Sequence, residues 1–327
     1  MNAQIDLVYN YTKMLVPILP FHFDATIYKP DHFPSADSSW KPGIRWQTML
    51  WQNKPLGLKF ENQGDIGQPI IKLSIWSYDQ LTPDFLSQFY DEITFRYCLQ
   101  HDLTEFNESF KNDPHIGPIL RRWSGMRPVS YSSLYKYLMV AIVLQNATVR
   151  RSVNMMRTLF EEYGTLLCYD GMRLFCSWDP CRIAQASEQE LRNLKIGYRA
   201  KSIKRVTSAF VDKEIDEFEL REKRKDEQKE ALLNLYGIGP ASVGYILFDV
   251  FHHWDALDHI SPWEQKIYSK LFFNQEPENP ISVEKLLKYF EEHYGKYKML
   301  VVHYIWEDLF WKRQNESISW LEKLIRL

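Results

Sequence analysis

Residues 232–245 read LLNLYGIGPASVGY, and no other stretch constrains the chain as tightly. Two glycines around one isoleucine would suit a dinucleotide-binding turn, but that turn needs a β-strand ahead of the first glycine. Here REKRKDEQKEALLNL precedes it, charged and then leucine-spaced, so a helix enters the glycines instead. No Gly-Lys-Ser/Thr follows, which excludes a Walker-type phosphate loop. The segment is a helix, a tight Gly237-Ile238-Gly239 hairpin, and a second helix. Bare glycine backbone lets an anion approach, and the amides opening the second helix, around Ala241 and Ser242, point at it. The plainer reading is a helix–helix turn with a C-capping glycine.

The hydrophobic period divides the chain in two. FHFDATI (21–27), LGLKFEN (56–62) and PIIKLSIWS (69–77) alternate as strands between turn-forming clusters. From about residue 83 the period becomes helical, in DFLSQFYDEITFRYCL, SSLYKYLMVAIVLQN, RRSVNMMRTLFEEYG, EQELRNLK, the run 213–235, SVEKLLKYFEEHYG and 296–326. The expected class is α+β, with an N-terminal antiparallel β-sheet domain over residues 1–95 and an all-helical body over 96–327.

At 327 residues the chain can bury a substantial core. Its net charge of −2 gives nucleic-acid binding no support, so a local basic face must carry that argument. YLMVAIVL (137–144) is too short to cross a bilayer, and the N-terminus lacks the charged and apolar regions of a signal peptide. A soluble intracellular protein is expected. The four cysteines, Cys98, Cys168, Cys176 and Cys181, do not make a disulfide framework at this size. Cys176 and Cys181 stand as Cys-x4-Cys without a second close pair, so buried or partly buried thiols are expected rather than zinc or an iron–sulfur cluster. His252, His253 and His259 carry no metal-binding helix motif and read as surface or capping residues.

The basic face is found in IGYRAKSIKRVTSAFV (196–211), where Arg199, Lys201, Lys204 and Arg205 follow a Gly-Tyr turn with no acid among them. Such a segment suits phosphate contact, or it is a solvated helix face. Together with the hairpin it completes a pattern. LLNLYGIGPASVGY resembles the hairpin of the helix–hairpin–helix DNA glycosylase superfamily, which includes 8-oxoguanine DNA glycosylase, 3-methyladenine DNA glycosylase II and endonuclease III. LMVAIVLQNATVRRSVNMMRTLFEEYG, LRNLKIGYRAKSIKRVT, DPHIGPILRRWSGMRPV and GKYKMLVVHYIW resemble further segments of that superfamily in the same order, across residues 100–310.

The resemblance implies roles residue by residue. Gly237, Ile238 and Gly239, with Ala241 and Ser242, would hold a DNA backbone phosphate. The carbonyls of Leu233, Leu235 and Ile238 would share a structural monovalent or divalent cation; no cofactor is required. Asn146, just after the further DNA-binding candidate Gln145, falls where the superfamily fills the gap left by a flipped nucleotide, although Asn146 also suits an ordinary turn. Arg199 and Lys201 would contact DNA, as would Arg150 and Arg151 unless they are simply an exposed helix start. Bifunctional members carry a nucleophilic lysine where this chain has Ala241, which implies a monofunctional hydrolase.

The superfamily's catalytic aspartate follows the hairpin by about twenty residues, and three placements compete in HHWDALDHISPWEQKIYSKLFF. Matching Pro262 to the superfamily's proline selects Glu264. Counting without gaps lands on Ser261. Asp258 is the other acid nearby, but Pro262 sits badly inside a helix starting there. Ser261-Pro-Trp-Glu264 is also a capping box, a reason for Glu264 that needs no catalysis. Trp254, Trp263 and Trp306 are either base stackers or core, and core is the commoner fate. The implied activity is hydrolysis of the bond between sugar and damaged base (an alkylated purine or oxidised guanine) in double-stranded DNA, by a monomer. The competing reading is a lesion-binding protein without a catalytic acid.

Overall fold

The computed structural model describes residues 4–28 and 34–324. Its first part runs β1 (Gln4–Asp6), β2 (Tyr9–Leu15), α1 (Phe23–Ile27), β3 (Ser38–Lys41), β4 (Ile44–Trp51), β5 (Lys54–Asn62), β6 (Ile71–Ser77) and α2 (Pro83–Arg96). Strands β2 to β6 form an antiparallel sheet in the order β2-β6-β5-β4-β3. Residues 21–27, expected as a strand, instead contain α1. His22 Nδ1 accepts from the Ala25 N–H at 3.1 Å and opens a single helical turn, too short for a 3.6 period to show in the sequence. Helix α2 starts at Thr82, whose hydroxyl caps Phe85 N–H, with Pro83 at the first helical position. Phe85, Phe89 and Ile93, with Tyr97 just beyond the helix, make one stripe that is buried on the sheet. Each such side chain contributes about 1.5–3 kcal/mol of hydrophobic burial.

The body continues with α3 (Thr104–Phe110), α4 (Gly117–Arg122), α5 (Leu134–Leu144), α6 (Val149–Tyr163), β7 (Thr165–Tyr169), β8 (Met172–Cys176), α7 (Pro180–Ala184) and α8 (Glu188–Leu191). A wide turn (Arg192–Ile196) leads to α9 (Arg199–Val211), α10 (Glu217–Arg221), α11 (Lys225–Leu233) and α12 (Pro240–Asp249). Then come α13 (Pro262–Phe273), α14 (Val283–Tyr294), a 3₁₀ turn (Gly295–Tyr297), α15 (Lys298–Asn315) and α16 (Ser319–Leu324). Of the helical segment expected over 296–326, residues 325 and 326 lie outside the described residues, as do residues 1–3 of the N-terminus.

The body is not all-helical. β7 and β8 pair antiparallel around Asp170-Gly171, both at positive φ, and β1 adds to β7 in parallel. Tyr169 locks this hairpin to the larger sheet. Its hydroxyl donates to Gln47 O at 2.8 Å, and its ring lies where a Cβ on Gly57 would stand, 2.6 Å away. The run 213–235 is two helices rather than one, because the Asp216 carboxylate accepts from the Phe218 and Glu219 amides and starts α10 separately.

Two helical cores flank α12. Val243, Ile246 and Leu247 pack with α5, α6 and α9, whereas Phe248 packs with α13, α14 and α15. A buried charge network ties α2 to α10: Arg221 donates to Glu92 at 2.7 Å and 2.8 Å, and Arg96 lies 3.4 Å from Glu217. No helix of the described residues is long and apolar enough to cross a membrane.

Candidate functional site

The hairpin has the backbone its glycines suggest. Gly237 sits at φ +81°, a conformation that costs glycine little, and Gly239 is the extended N-cap of α12 with Pro240 next. The Ser242 amide turns back to Gly239 O at 3.0 Å. Gly237, Pro240 and Ala241 are exposed, as is Leu233, while Leu235 and Ile238 are buried; Leu235 O accepts from the Ile238 N–H at 3.1 Å.

Three stretches far apart in sequence meet at this hairpin. Gln145, at the end of α5, donates from Nε2 to Gly237 O at 2.7 Å. Tyr198 donates to Gln145 O at 3.4 Å, and Arg199 also donates to that carbonyl. Asn146 is exposed at φ +49° and donates to the Tyr198 hydroxyl at 3.3 Å. Lys201 lies over the ring of Tyr236, 5.0 Å from its centroid. The result is one surface on which Leu144, Tyr198 and Tyr236 are exposed around the hairpin.

The basic segment divides into two groups. Arg199 is buried and engaged with Gln145, and Lys204 donates to the carbonyls of Ala184 and Ala186 at 2.5 and 2.6 Å. Lys201 and Arg205 are exposed, as are Arg150 and Arg151 at the start of α6.

The two carboxylates differ sharply. Asp258 is about half exposed, 2.6 Å from Lys229 on α11 and 3.9 Å from Lys298 on α15. Partial burial pulls its pKa up, but the hydrogen bond and charge of Lys229, aided by Lys298, outweigh that and hold it below the ordinary carboxylate value. Glu264, on α13, is 5% exposed. Its Oε2 accepts from Ser261 N–H at 2.7 Å, and its Oε1 accepts from the Tyr245 hydroxyl at 2.5 Å. Only the glutamate half of the capping box is formed, since Ser261 Oγ is buried with no hydrogen bond among the described residues. Burial first, and then the Glu264 charge, drive the Tyr245 pKa far up, so the phenol stays a donor to the carboxylate.

Sequence reasoning missed Tyr245, because its partner lies on another helix. Five residues after Pro240, it sits about 8 Å along α12 from the hairpin and so links the two features. Trp306 is buried and donates to the Tyr268 hydroxyl at 3.0 Å, and Trp254 is partly buried. Trp263, expected as core, is instead 42% exposed beside Glu264 and packs on Trp306 with centroids 4.7 Å apart.

The histidines and thiols need correction too. His253 bonds Gln228 at 2.6 Å and His259 is exposed, while His252 ends α12 in a left-handed conformation but is not a surface side chain: both its ring nitrogens are buried without a hydrogen bond among the described residues. Cys98 and Cys176 are buried and Cys168 partly so, whereas Cys181 is exposed.

No protein-family model matches the chain. A DNA-3-methyladenine glycosylase of Bacillus subtilis (strain 168) is 20% identical over 202 residues, and the match covers 62% of each chain, so about three fifths of that relative's length is spanned. Among solved structures, a 3-methyladenine DNA-glycosylase from Archaeoglobus fulgidus superposes with a TM-score of 0.75 at 15% identity, covering 94% of this chain and 100% of that one. An 8-oxoguanine glycosylase/lyase of Clostridium acetobutylicum, bound to double-stranded DNA with cytosine opposite 8-oxoG, gives 0.68 at 16% identity, covering 96% and 100%. This chain has the fold of the helix–hairpin–helix DNA glycosylase superfamily.

Proposed function

We propose that the chain is a monofunctional DNA glycosylase that hydrolyses the bond between deoxyribose and a damaged base, with Glu264 as the working carboxylate. The observation that carries this reading is the path from hairpin to acid: α12, capped by Gly239, presents Tyr245 to Glu264 at 2.5 Å. A phosphate held at Gly237–Gly239 would therefore place a neighbouring sugar close to a buried carboxylate. The target base must leave the stack before its glycosidic bond is accessible. Asn146, projecting at positive φ and flanked by Gln145, fills the vacated position, while Lys201 and the surface around Tyr236 meet the backbone. The carbonyls of Leu233, Leu235 and Ile238, of which Leu235 O already accepts from the Ile238 N–H, would be the ones to hold a cation beside the phosphate.

As the glycosidic bond breaks, the base leaves with the bonding pair and positive charge develops on the sugar. The Glu264 carboxylate stabilises that charge and orients the water that adds to it, as carboxylates do in glycoside hydrolysis. Ala241 stands where an amine nucleophile would be needed for a lyase step. Exposed Trp263 beside Glu264 offers a face for an electron-poor alkylated purine or for oxidised guanine. The partner is double-stranded DNA carrying the lesion, met by a monomer.

One observation favours a second reading. Both oxygens of Glu264 are satisfied within the protein, which suits a lesion-binding protein that does not cut. The test is a panel of duplexes carrying 8-oxoguanine, alkylated purines, uracil or hypoxanthine, each incubated with protein and then with hot alkali. Strand cleavage at one lesion only after alkali supports the hydrolase. Cleavage without alkali, together with borohydride trapping, would establish a lyase. Lesion-dependent binding with no abasic product selects the binding protein.

A further inference from the structure

Cys98, His101 and His252 converge away from the hairpin, and we propose that they form a binding site for a divalent metal ion of the zinc type. The Cys98 sulfur and one nitrogen of each imidazole all lie within 4.8 Å of one another. A tetrahedral zinc ion would hold such atoms roughly 3.4–3.6 Å apart, so side-chain rotations moving each inward by on the order of 1 Å close the site. One thiolate and two imidazoles are a donor set that selects a borderline-soft ion over magnesium or calcium, and water completes the tetrahedron.

His252 points most directly to a ligand. Its ring nitrogens are both buried, and neither makes a hydrogen bond among the described residues. A buried imidazole left so is costly unless something else takes its lone pair. Aromatic neighbours keep the ring beside the cluster: Phe95 packs on it at 4.3 Å between centroids, and His101 meets it edge-on at 5.1 Å.

The backbone supplies an independent argument. Cys98 follows α2 at φ +49°, with its own N–H on Phe95 O at 3.0 Å and the Leu99 N–H on Thr94 O at 3.1 Å. That is the position in a helix-ending motif usually given to glycine. His252 ends the last turn of α12 in the same left-handed conformation, at φ +60°, with its N–H on Phe248 O at 3.1 Å. Two helices thus place a side-chain donor where a side chain is disfavoured, and both aim their negative ends toward the cluster, which suits a cation. Two arginines oppose a cation here, Arg127 near Cys98 and His101 and Arg221 near His252, while Glu92 near His252 and Asp102 near Arg127 add negative charge. An ion here joins the end of the sheet-packed helix α2 to the end of the second hairpin helix, stapling the two parts of the molecule.

The test uses the full chain, stripped with chelator, checked for retained fold by circular dichroism, and titrated with Co²⁺. A thiolate-to-cobalt charge-transfer band saturating at one ion per chain and displaced by Zn²⁺ is the expected result. Cys98→Gly suits the left-handed backbone and so keeps the fold; it abolishes the band, while Cys181→Ser, at an exposed thiol, retains it. Saturating Zn²⁺ raises the Tm of the parent by roughly 5 °C and leaves that of Cys98→Gly unchanged. A folded chain with no such band, the same band in Cys98→Gly, or its loss in Cys181→Ser would overturn the assignment.

Discussion

Asp258 and Glu264 are separated by one short segment of chain, yet they occupy different environments. Asp258 is half in water and faces two lysines, so its charge is already answered and screened. Glu264 is buried, held by one backbone amide and one phenol, with no lysine or arginine paired to it among the described residues. A carboxylate in the second setting retains an electrostatic demand that a developing sugar cation can meet; one in the first does not. The difference teaches that proximity to the hairpin in sequence is a poor guide to the acid. What counts is whether the surroundings leave its negative charge unanswered.

Paired isosteric variants put the largest strain on this comparison. Glu264→Gln should lower base release by roughly 10²–10³-fold, because it removes the charge but keeps the shape. Asp258→Asn should leave release within about threefold of the parent, as expected for loss of an exposed ion pair. Single-turnover release of the lesion identified by the panel measures both. If Asp258→Asn abolishes release and Glu264→Gln spares it, the roles assigned to the two environments must be exchanged.

The same contrast explains what the sequence made legible. The hairpin could be read directly, because Gly237 and the helix before it announce a local backbone requirement. Strands β5 and β6 and most long helices followed from their periods. The hairpin of β7 and β8 is equally local: Asp170-Gly171 between two apolar runs is a strong turn signal. The failure at α1 differs in kind, since five residues carry too little periodicity to tell a helical turn from a strand. Nothing local could reveal the bond from Tyr245 to Glu264, the anchoring of Gln145 on Gly237, or the meeting of Cys98 with His252. Each joins elements whose proximity is decided by packing on both sides of α12.

Gly237→Ala probes the hairpin that both carboxylates follow. At φ +81° an alanine is strained, and its Cβ would lie 2.5 Å from Ser202 Oγ and 3.0 Å from Ser202 Cβ, so the Ser202 hydroxyl must rotate and its Cβ give slightly. The expected cost is about 1–3 kcal/mol of stability. Because Gln145 hangs on Gly237 O, affinity for lesion-free duplex should fall by several-fold as well. Denaturant unfolding and a binding titration at fixed salt check the two effects separately. Unchanged binding in a destabilised variant would detach the hairpin from DNA contact while leaving its structural account intact.

The smallest effect is the share of Asp258 in the acid limb of stability. Its pKa is lower in the folded chain than in the unfolded one, because the attraction of Lys229 and Lys298 exceeds the penalty of partial burial. The unfolded chain therefore binds more protons as the pH drops, and stability falls. The contribution is fully present above the unfolded aspartate value, near pH 4, and is lost as the pH falls through the depressed folded value. Asp258→Asn should thus lower stability slightly at neutral pH and converge with the parent once the pH has fallen below the depressed folded value. High salt should shrink the neutral-pH gap, since a half-exposed pair is screened. A gap that persists unchanged in acid would mean that the side chain stabilises the loop before α13 through packing or neutral hydrogen bonding, and its charge would no longer distinguish it from Glu264.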